Sequence, residues 1–255
     1  MTKVVIKTAE QIEGIRKANQ LVANILQAIE PYVKAGVTTK EIDDRIHQMM
    51  KDEGAISGSL NYGHPPFPGA SCISINHVVC HGIPSDRPLK NGDIVNVDVC
   101  LDKDGYFGDS SRMFCVGEVS IMAQRLVDAT YECMMLGIEE VKPGAPFRNI
   151  GRAIEKNAKR YNYSIVQEFC GHGVGLALHE APQVLHYDSP MVRDIMEPGM
   201  IFTIEPMINV GRPETKVLND GWTAVTRDRS LTAQWEHAVL VTEDGYEILS
   251  LPTSR

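Results

Sequence analysis

The sequence predicts an α+β fold made of two similar halves, and three observations support this prediction. Segments with helical periodicity alternate with short strand-like runs along all 255 residues. Two of the helical segments begin with capping boxes, and a weak internal repeat underlies the order of the segments. We therefore expect one domain over residues 1–255, with halves at about residues 8–117 and 118–250.

Four segments have the pattern of helices. The capping boxes begin at Thr8 and Thr38, where a Gln or Glu follows three residues later. After the second box, Ile42, Ile46 and Met49 recur at helical spacing and are expected to lie on one face of the helix. The predicted helices are residues 12–29, the segment from the second box to Gly54, residues 121–140 and residues 147–159.

Short apolar runs predict the strands. In residues 94–100 the valines alternate with Asn96 and Asp98, so the valines share one face and the two polar residues the other. In residues 200–207, Glu205 likewise lies opposite the apolar side chains. The predicted strands are residues 72–76, 94–100, 112–116, 165–169, 200–207, 223–226, 237–242 and 246–249.

The internal repeat matches residues 91–98 with residues 198–205. Asp98 and Glu205 therefore occupy the same place in two similar strands. Chance is the alternative for so weak a match.

Composition excludes several functional classes. The formal net charge of −8 gives no electrostatic reason to expect binding to nucleic acid or to an anionic membrane. No stretch approaches the roughly 20 consecutive apolar residues of a membrane span, and the N-terminus lacks a signal-peptide pattern. The six cysteines form no CxxC pair, which favours free thiols and a reduced, cytoplasmic setting.

Four acids and one histidine stand out against this background. A carboxylate on a buried strand is costly unless a cation or hydrogen bonds compensate it. One such acid is most simply a solvated turn residue, but four at strand-like positions favour a metal site. His172 lies among glycines in residues 171–175, where a phosphate-binding loop is the competing interpretation, although the segment lacks both the GxGxxG and Walker patterns. The four acids are Asp98, Asp109, Glu205 and Glu236.

An oxygen-rich donor set with one imidazole suits two divalent ions of the Mn, Fe(II), Co or Zn type. Four carboxylates balance the charge of two such ions. Structural zinc sites use clustered cysteines, which are absent from this sequence.

At these residues the sequence resembles the type I methionine aminopeptidases, metallopeptidases of the pita-bread fold. The resemblance extends over about residues 8–249. It implies two pseudo-symmetric halves, with antiparallel sheet flanked by helices around a central dinuclear metal site. Its most specific motifs are residues 75–84, the Asp98 and Asp109 strand pair, residues 171–180, residues 204–206 and residues 234–237.

The resemblance also implies a role for each donor. Asp109 and Glu236 would bridge two metal ions, Asp98 would chelate one of them, and His172 with Glu205 would complete the other. A metal-bridged water or hydroxide would attack the first peptide bond of the substrate, while Glu205 handles its proton.

Two further histidines and an apolar pocket complete the implied site. His179 would hydrogen-bond the scissile peptide, and His81 would contact the peptide near that bond. The substrate methionine would enter a pocket lined by Tyr62, Phe67, Cys72 and Trp222.

The implied reaction removes the N-terminal methionine when the second residue is small. Its partners would be the N-termini of nascent polypeptides and Met-initiated peptides, near the ribosome, with the enzyme acting as a monomer. The family loop at Asn76 and Val78 implies one monovalent cation as well. Three departures affect the shape of the site, namely Leu178, His77 and the arrangement of residues 63–66.

Two alternative functions are found among proteins with similar sequences. Prolidases and Xaa-Pro aminopeptidases share these ligands, but they carry a sizeable domain before the catalytic half, and the segment before Asp98 is short. A pita-bread binding module without activity would have lost ligands, whereas all five are present. His47, His77, His186 and His237 are expected to be ordinary surface or core histidines.

Overall fold

The computed structural model describes residues 4–253. Residues 1–3 and 254–255, the ends of the predicted domain, lie outside the described residues, and the division into two halves stays a prediction. The helices are α1 (Ala9–Ala28), α2 (Thr39–Asp52), α3 (Ile121–Ile138) and α4 (Arg148–Arg160).

The strands are mostly short. In chain order they are β1 (Ile56–Ser57), β2 (Cys72–Ile75), β3 (Val78–Cys80), β4 (Ile94–Lys103), β5 (Tyr106–Cys115), β6 (Ser164–Ile165), β7 (Gly171–Gly173), β8 (Glu180–Val184), β9 (Ile201–Ile204), β10 (Met207–Asn209), β11 (Thr215–Val217), β12 (Ala224–Thr226), β13 (Thr232–Gln234), β14 (His237–Val241) and β15 (Tyr246–Ile248).

Both predicted capping boxes are present. The Thr8 and Thr38 side chains accept hydrogen bonds from the backbone three residues later, and the Gln or Glu at that position accepts in return. The predicted apolar face of the second helix is confirmed, since Ile42 and Ile46 are completely buried and Met49 packs, partly buried, against the same core. Met50, four residues after Ile46, is buried there as well.

Every strand pairing in residues 4–253 is antiparallel. One sheet contains β1, β2, β4 and β5, with β4 and β5 forming a hairpin of two ten-residue strands. A second sheet has the order β15-β14-β9-β7-β8. Two smaller sheets have the orders β13-β10-β6 and β11-β12-β3. The predicted α+β class with antiparallel sheets is confirmed.

Most predicted strands differ from the observed ones by one to three residues at an end, and three differ more. The predicted strand 165–169 is only Ser164–Ile165, and the one at 112–116 begins at Tyr106 instead. The run 200–207 is divided into β9 and β10 around Pro206, which has no backbone N–H to donate to a sheet.

The helices cover the sheets and enclose two main apolar cores. One core packs α1 and α2 against β2 and β4 and includes Val95, Val97 and Val99. The other packs α3 and α4 against strands that include β9, and there Phe202 and Ile204 are completely buried. Since the valines and these two residues point into the cores, Asp98 and Glu205 point the other way, as their alternation predicts.

The two larger sheets meet where β5 contacts the residue before β14. Ser111 and Glu236 form an isolated antiparallel bridge, and the Ser110 hydroxyl donates to the Glu236 carbonyl at 2.6 Å. The Asn96 amide also donates across this junction, to the Gln234 carbonyl at 2.8 Å. The polar faces of the two sheets therefore lie next to each other at this junction.

Within residues 4–253, no helix is both long enough and apolar enough to cross a membrane.

Candidate metal centre and active-site cavity

Asp109, His172 and Glu236 form a compact group of potential ligands. One donor atom from each residue lies within 4.8 Å of the others. Asp109 comes from β5, His172 from β7, and Glu236 directly precedes β14. Strands from both large sheets are therefore needed to assemble the group.

Asp98 and Glu205 lie at the same centre. The His172 Nε2 atom is 3.5 Å from Glu205 Oε1 and 3.6 Å from Asp109 Oδ2. Asp98 lines the same cavity and is close enough to raise the pKa values of Asp109 and Glu236 by repulsion. The structure thus brings together all five residues singled out from the sequence.

Burial dominates the electrostatics of this centre. Loss of solvent raises the pKa of Asp98 to about 7 and that of Glu205 to about 8. The pKa values of Asp109 and Glu236 are also raised well above normal, first by burial and then by the neighbouring carboxylates. Within residues 4–253, no lysine or arginine forms an ion pair with any of these four acids, and the neutral His172 ring lies near only Asp109 and Glu205. Such a concentration of buried negative charge fits divalent cations, which compensate it and prefer carboxylate and imidazole donors.

Hydrogen bonds hold Glu205 in a fixed orientation. The Thr203 hydroxyl donates to its Oε1 at 2.7 Å, and the Gln234 amide donates to its Oε2 at 3.2 Å. Its backbone N–H donates to His186 Nε2 at 3.1 Å, and burial lowers the pKa of His186 to about 3, so the imidazole is neutral. Sequence reasoning missed Thr203 and Gln234, although each lies two residues before a predicted ligand.

His172 is oriented by its own strand. Its Nδ1 atom lies 3.0 Å from the Gly173 carbonyl, which leaves Nε2 facing the carboxylates. Burial lowers the pKa of His172 to about 3, so the ring is neutral, as a metal ligand must be. A Cβ atom at Gly171 would lie 3.2 Å from Thr203 Oγ1 and even closer to the Thr203 backbone, so a larger residue does not fit at this position.

His81 and His179 border the same cavity. The Tyr62 hydroxyl lies 2.8 Å from His179 Nδ1, and the His179 ring centroid is 4.2 Å from that of His172. His81 packs edge-on against Trp222, with ring centroids 6.0 Å apart. Burial lowers the pKa values of both histidines, that of His81 to about 4.

An aromatic-walled pocket adjoins the carboxylates. Phe67 and Trp222 pack edge to face with ring centroids 5.4 Å apart, and the Trp222 indole N–H donates to the Pro65 carbonyl at 2.8 Å. The loop of residues 63–66 therefore fixes one wall. Tyr62, Phe67, Cys72, Leu178 and Trp222 all line the cavity, whose volume is about 970 Å³.

Three other residues singled out from the sequence, Asn76, His77 and Val78, do not line this cavity. The nearby cations Arg229 and Arg87 assist burial in lowering the pKa of His77. The Asn76 carbonyl accepts from the Thr232 backbone N–H at 2.9 Å, and Val78 pairs with Val225 between β3 and β12. All six cysteines are free thiols, as expected.

Residues 13–243 match the family described as metallopeptidase family M24. The chain belongs to this family, and with the buried donor cluster it uses divalent metal. Among curated relatives, the methionine aminopeptidase of Escherichia coli K12 is 51% identical over 248 residues, which cover 96% of this chain and 93% of that protein. The methionine aminopeptidase B of Synechocystis is 48% identical over 252 residues, covering 97% and 92%.

Solved structures give the same result. Methionine aminopeptidase from Rickettsia prowazekii matches with a TM-score of 0.95 at 47% identity, covering 98% of this chain and all of that one. Prolidase from Pyrococcus furiosus matches at 0.78 and 26% identity, but only 66% of that longer chain is covered. The resemblance to methionine aminopeptidases and the pita-bread fold are confirmed.

Proposed function

We propose that this enzyme removes the N-terminal methionine from nascent proteins and peptides whose second residue is small. The observation that carries the proposal is one cavity in which three buried and two partly buried side chains of metal-ligand type adjoin a pocket with aromatic walls. The relatives named methionine aminopeptidase support the same reaction.

Five residues would hold two divalent ions. In this proposal the side chains that would hold them are those of Asp98, Asp109, His172, Glu205 and Glu236. Two divalent ions supply a polarised substrate carbonyl and an activated water at neutral pH. Their charge equals that of the four carboxylates, which removes the repulsion between them.

Glu205 is the residue that handles the water proton. Its two oxygens are held by Thr203 and Gln234, so its position is fixed before substrate arrives. A carboxylate held in this way is positioned to accept a proton from a water molecule beside it.

His179 binds the substrate through its remaining ring nitrogen. Because Tyr62 occupies Nδ1, the Nε2 atom is free to hydrogen-bond the scissile peptide and stabilise the tetrahedral intermediate. His81, whose ring is neutral and held against Trp222, contacts the peptide beside the same bond.

The substrate methionine enters the pocket of Tyr62, Phe67, Cys72 and Trp222. A polarizable thioether packs favourably against aromatic rings. Leu178, one of the departures from the family pattern, gives the cavity an aliphatic wall next to His179.

The proposal also covers the identity of the ions, the cellular setting and the domain organisation. The ions are Co, Mn, Fe(II) or Zn, and a monovalent cation binds near Asn76 and Val78. The enzyme acts as a cytoplasmic monomer close to the ribosome, without binding nucleic acid directly. Its two halves, at about residues 8–117 and 118–250, form a single catalytic domain over residues 1–255.

The test is a peptide assay with metal-stripped protein reloaded separately with Co, Mn, Fe(II) and Zn. We expect methionine release from Met-Gly peptides and little release from Met-Lys peptides of equal length. Equal cleavage of both peptides would contradict the predicted specificity. Release only from Xaa-Pro peptides would instead identify a prolidase-like activity.

A further inference from the structure

The active-site cavity continues well beyond the aromatic pocket. Its lining also includes the apolar residues Val4, Leu185, Met191 and Val192, and Leu185 directly follows β8. Met191 is 81% exposed, so a large apolar side chain stands in water at the edge of the catalytic cavity. Exposed apolar surface beside a substrate site is typical of ligand-binding surfaces.

Met191 projects from a loop that is held at both ends. At one end Asp188 pairs with Arg148, and its backbone N–H donates to Glu155 at 3.0 Å. At the other end the Asp194 carbonyl accepts from the Phe147 N–H at 3.0 Å. Both attachments lead to α4 or the residue before it, so the loop presents Met191 in a defined position.

The register of β8 indicates a path from the metal centre to this loop. Gln183 is the cross-strand partner of His172, and Gln183 and Leu185 both line the cavity. In residues 4–253, β8 is an edge strand, paired only with β7. With methionine in the aromatic pocket, the polypeptide after the scissile bond can leave along this edge and reach Met191.

We propose that Val4, Leu185, Met191 and Val192 form a downstream subsite that binds apolar side chains at the third and following positions of the substrate. This inference rests on the proposed aminopeptidase function. The occupant is the substrate polypeptide itself, because the surface is continuous with the cavity in which its first peptide bond is cut. Burial of Met191 against an apolar residue removes surface from water and strengthens binding.

The test compares two amidated pentapeptides, Met-Gly-Leu-Leu-Ala and Met-Gly-Ser-Ser-Ala, with the wild type and the Met191→Ala variant. We expect the wild type to favour the leucine peptide about threefold to tenfold in kcat/KM, and Met191→Ala to lose most of that preference. Because Met191 is exposed, the substitution should leave the unfolding temperature unchanged. Ile121→Ala is the matched control, since Ile121 is 89% exposed on α3 and does not line the cavity.

Each outcome has a separate meaning. An unchanged leucine preference in Met191→Ala, with normal cleavage, would overturn the subsite and leave the aminopeptidase intact. Loss of the preference in Phe169→Ala but not in Met191→Ala would place the exit past Phe169, on another wall of the cavity. If the wild type released no methionine from either pentapeptide or from Met-Gly amide, the proposed function itself would be wrong.

Discussion

Lys7 and Glu180 form an ion pair that is almost completely buried, with side-chain exposures of 1% and 9%. The second oxygen of Glu180 accepts from the backbone N–H groups of Leu176 and Ala177 at 2.6 and 2.8 Å. The residue before Glu180 is His179, so the pair connects the N-terminal segment to the loop that carries an active-site histidine.

Replacing Lys7 with Met is therefore expected to destabilise the protein strongly. The Glu180 charge would lose its only ion-pair partner within residues 4–253 while staying buried, at a cost of about 3–5 kcal/mol. Urea unfolding at neutral pH measures the change. Arg16→Met is the control, because its partners Glu13 and Glu247 are 52% and 38% exposed and an exposed pair contributes about 0–1 kcal/mol. Similar losses in both variants would show that burial of the Lys7 pair does not matter.

The raised carboxylate pKa values predict how stability of the metal-free protein depends on pH. Folded Asp98 and Glu205, with pKa values of about 7 and 8, retain protons that the unfolded chain has already released. The folded state then binds more protons, so the free energy of unfolding falls as pH rises. Buried histidines such as His172 act in the opposite direction, but only below their ordinary pKa of 6.5.

Between pH 6.5 and about 8 the carboxylates therefore decide the sign of the slope. Urea unfolding of the metal-stripped protein should give decreasing stability over this interval. In protein reloaded with Co or Mn the same carboxylates are deprotonated ligands, and the decrease should disappear. Parallel curves with and without metal would argue against a metal site at these residues.

The sequence predicted the acids of the site better than it predicted the strands that carry them. Asp98 was found because alternation with valines exposes an acid on a buried strand. The strand of Asp109 was predicted to begin six residues too late, at Arg112 instead of Tyr106, since Gly108, Ser110 and Ser111 give no apolar alternation. The β4–β5 pairing, a tertiary interaction, makes that segment a strand.

The same limit applies around His172. Gly171 and Gly173 have low strand propensity, and β7 exists because it lies between β8 and β9. Likewise, the contact of His186 with Glu205 joins two residues that follow different strands, β8 and β9, and nothing in the local sequence indicates it. The sequence shows which side chains are of a type that binds metal. The hydrogen bonds that orient those side chains depend on the complete fold.

Removal of a proposed ligand should lower metal content without unfolding the chain. We expect His172→Ala and Glu236→Ala to retain less than half of the bound metal, because each loses a donor from a closely spaced group. Inductively coupled plasma mass spectrometry after dialysis measures the ratio of metal to protein. His47→Ala, on α2 away from the cavity, is the control and should bind metal normally. Full metal content in both ligand variants would refute the assignment.

His179→Ala should reduce turnover far more than stability. A donor to the scissile peptide contributes about 10²- to 10³-fold in kcat when it stabilises the developing charge. Tyr62→Phe keeps His179 but removes its Nδ1 partner, so a smaller loss, about tenfold, is expected. Steady-state kinetics with Met-Gly peptides, together with thermal unfolding, separates the two effects. A parallel loss of activity and stability in His179→Ala would point to a structural role.

Gly171→Ala tests whether the close approach of β7 and β9 positions His172. The added methyl group would lie 3.1 Å from the Thr203 backbone carbon and 3.2 Å from Thr203 Oγ1, so the strands must separate. That separation would also disturb the Thr203 hydroxyl, which accepts from the His172 N–H and donates to Glu205.

We expect Gly171→Ala to bind metal more weakly and to be about 1–3 kcal/mol less stable. Metal titration and urea unfolding measure the two effects. Gly245→Ala is the control, since nothing lies within 4 Å of the place its methyl group would take and both properties should stay unchanged. Normal metal affinity in Gly171→Ala would mean that His172 is positioned independently of the contact between β7 and Thr203.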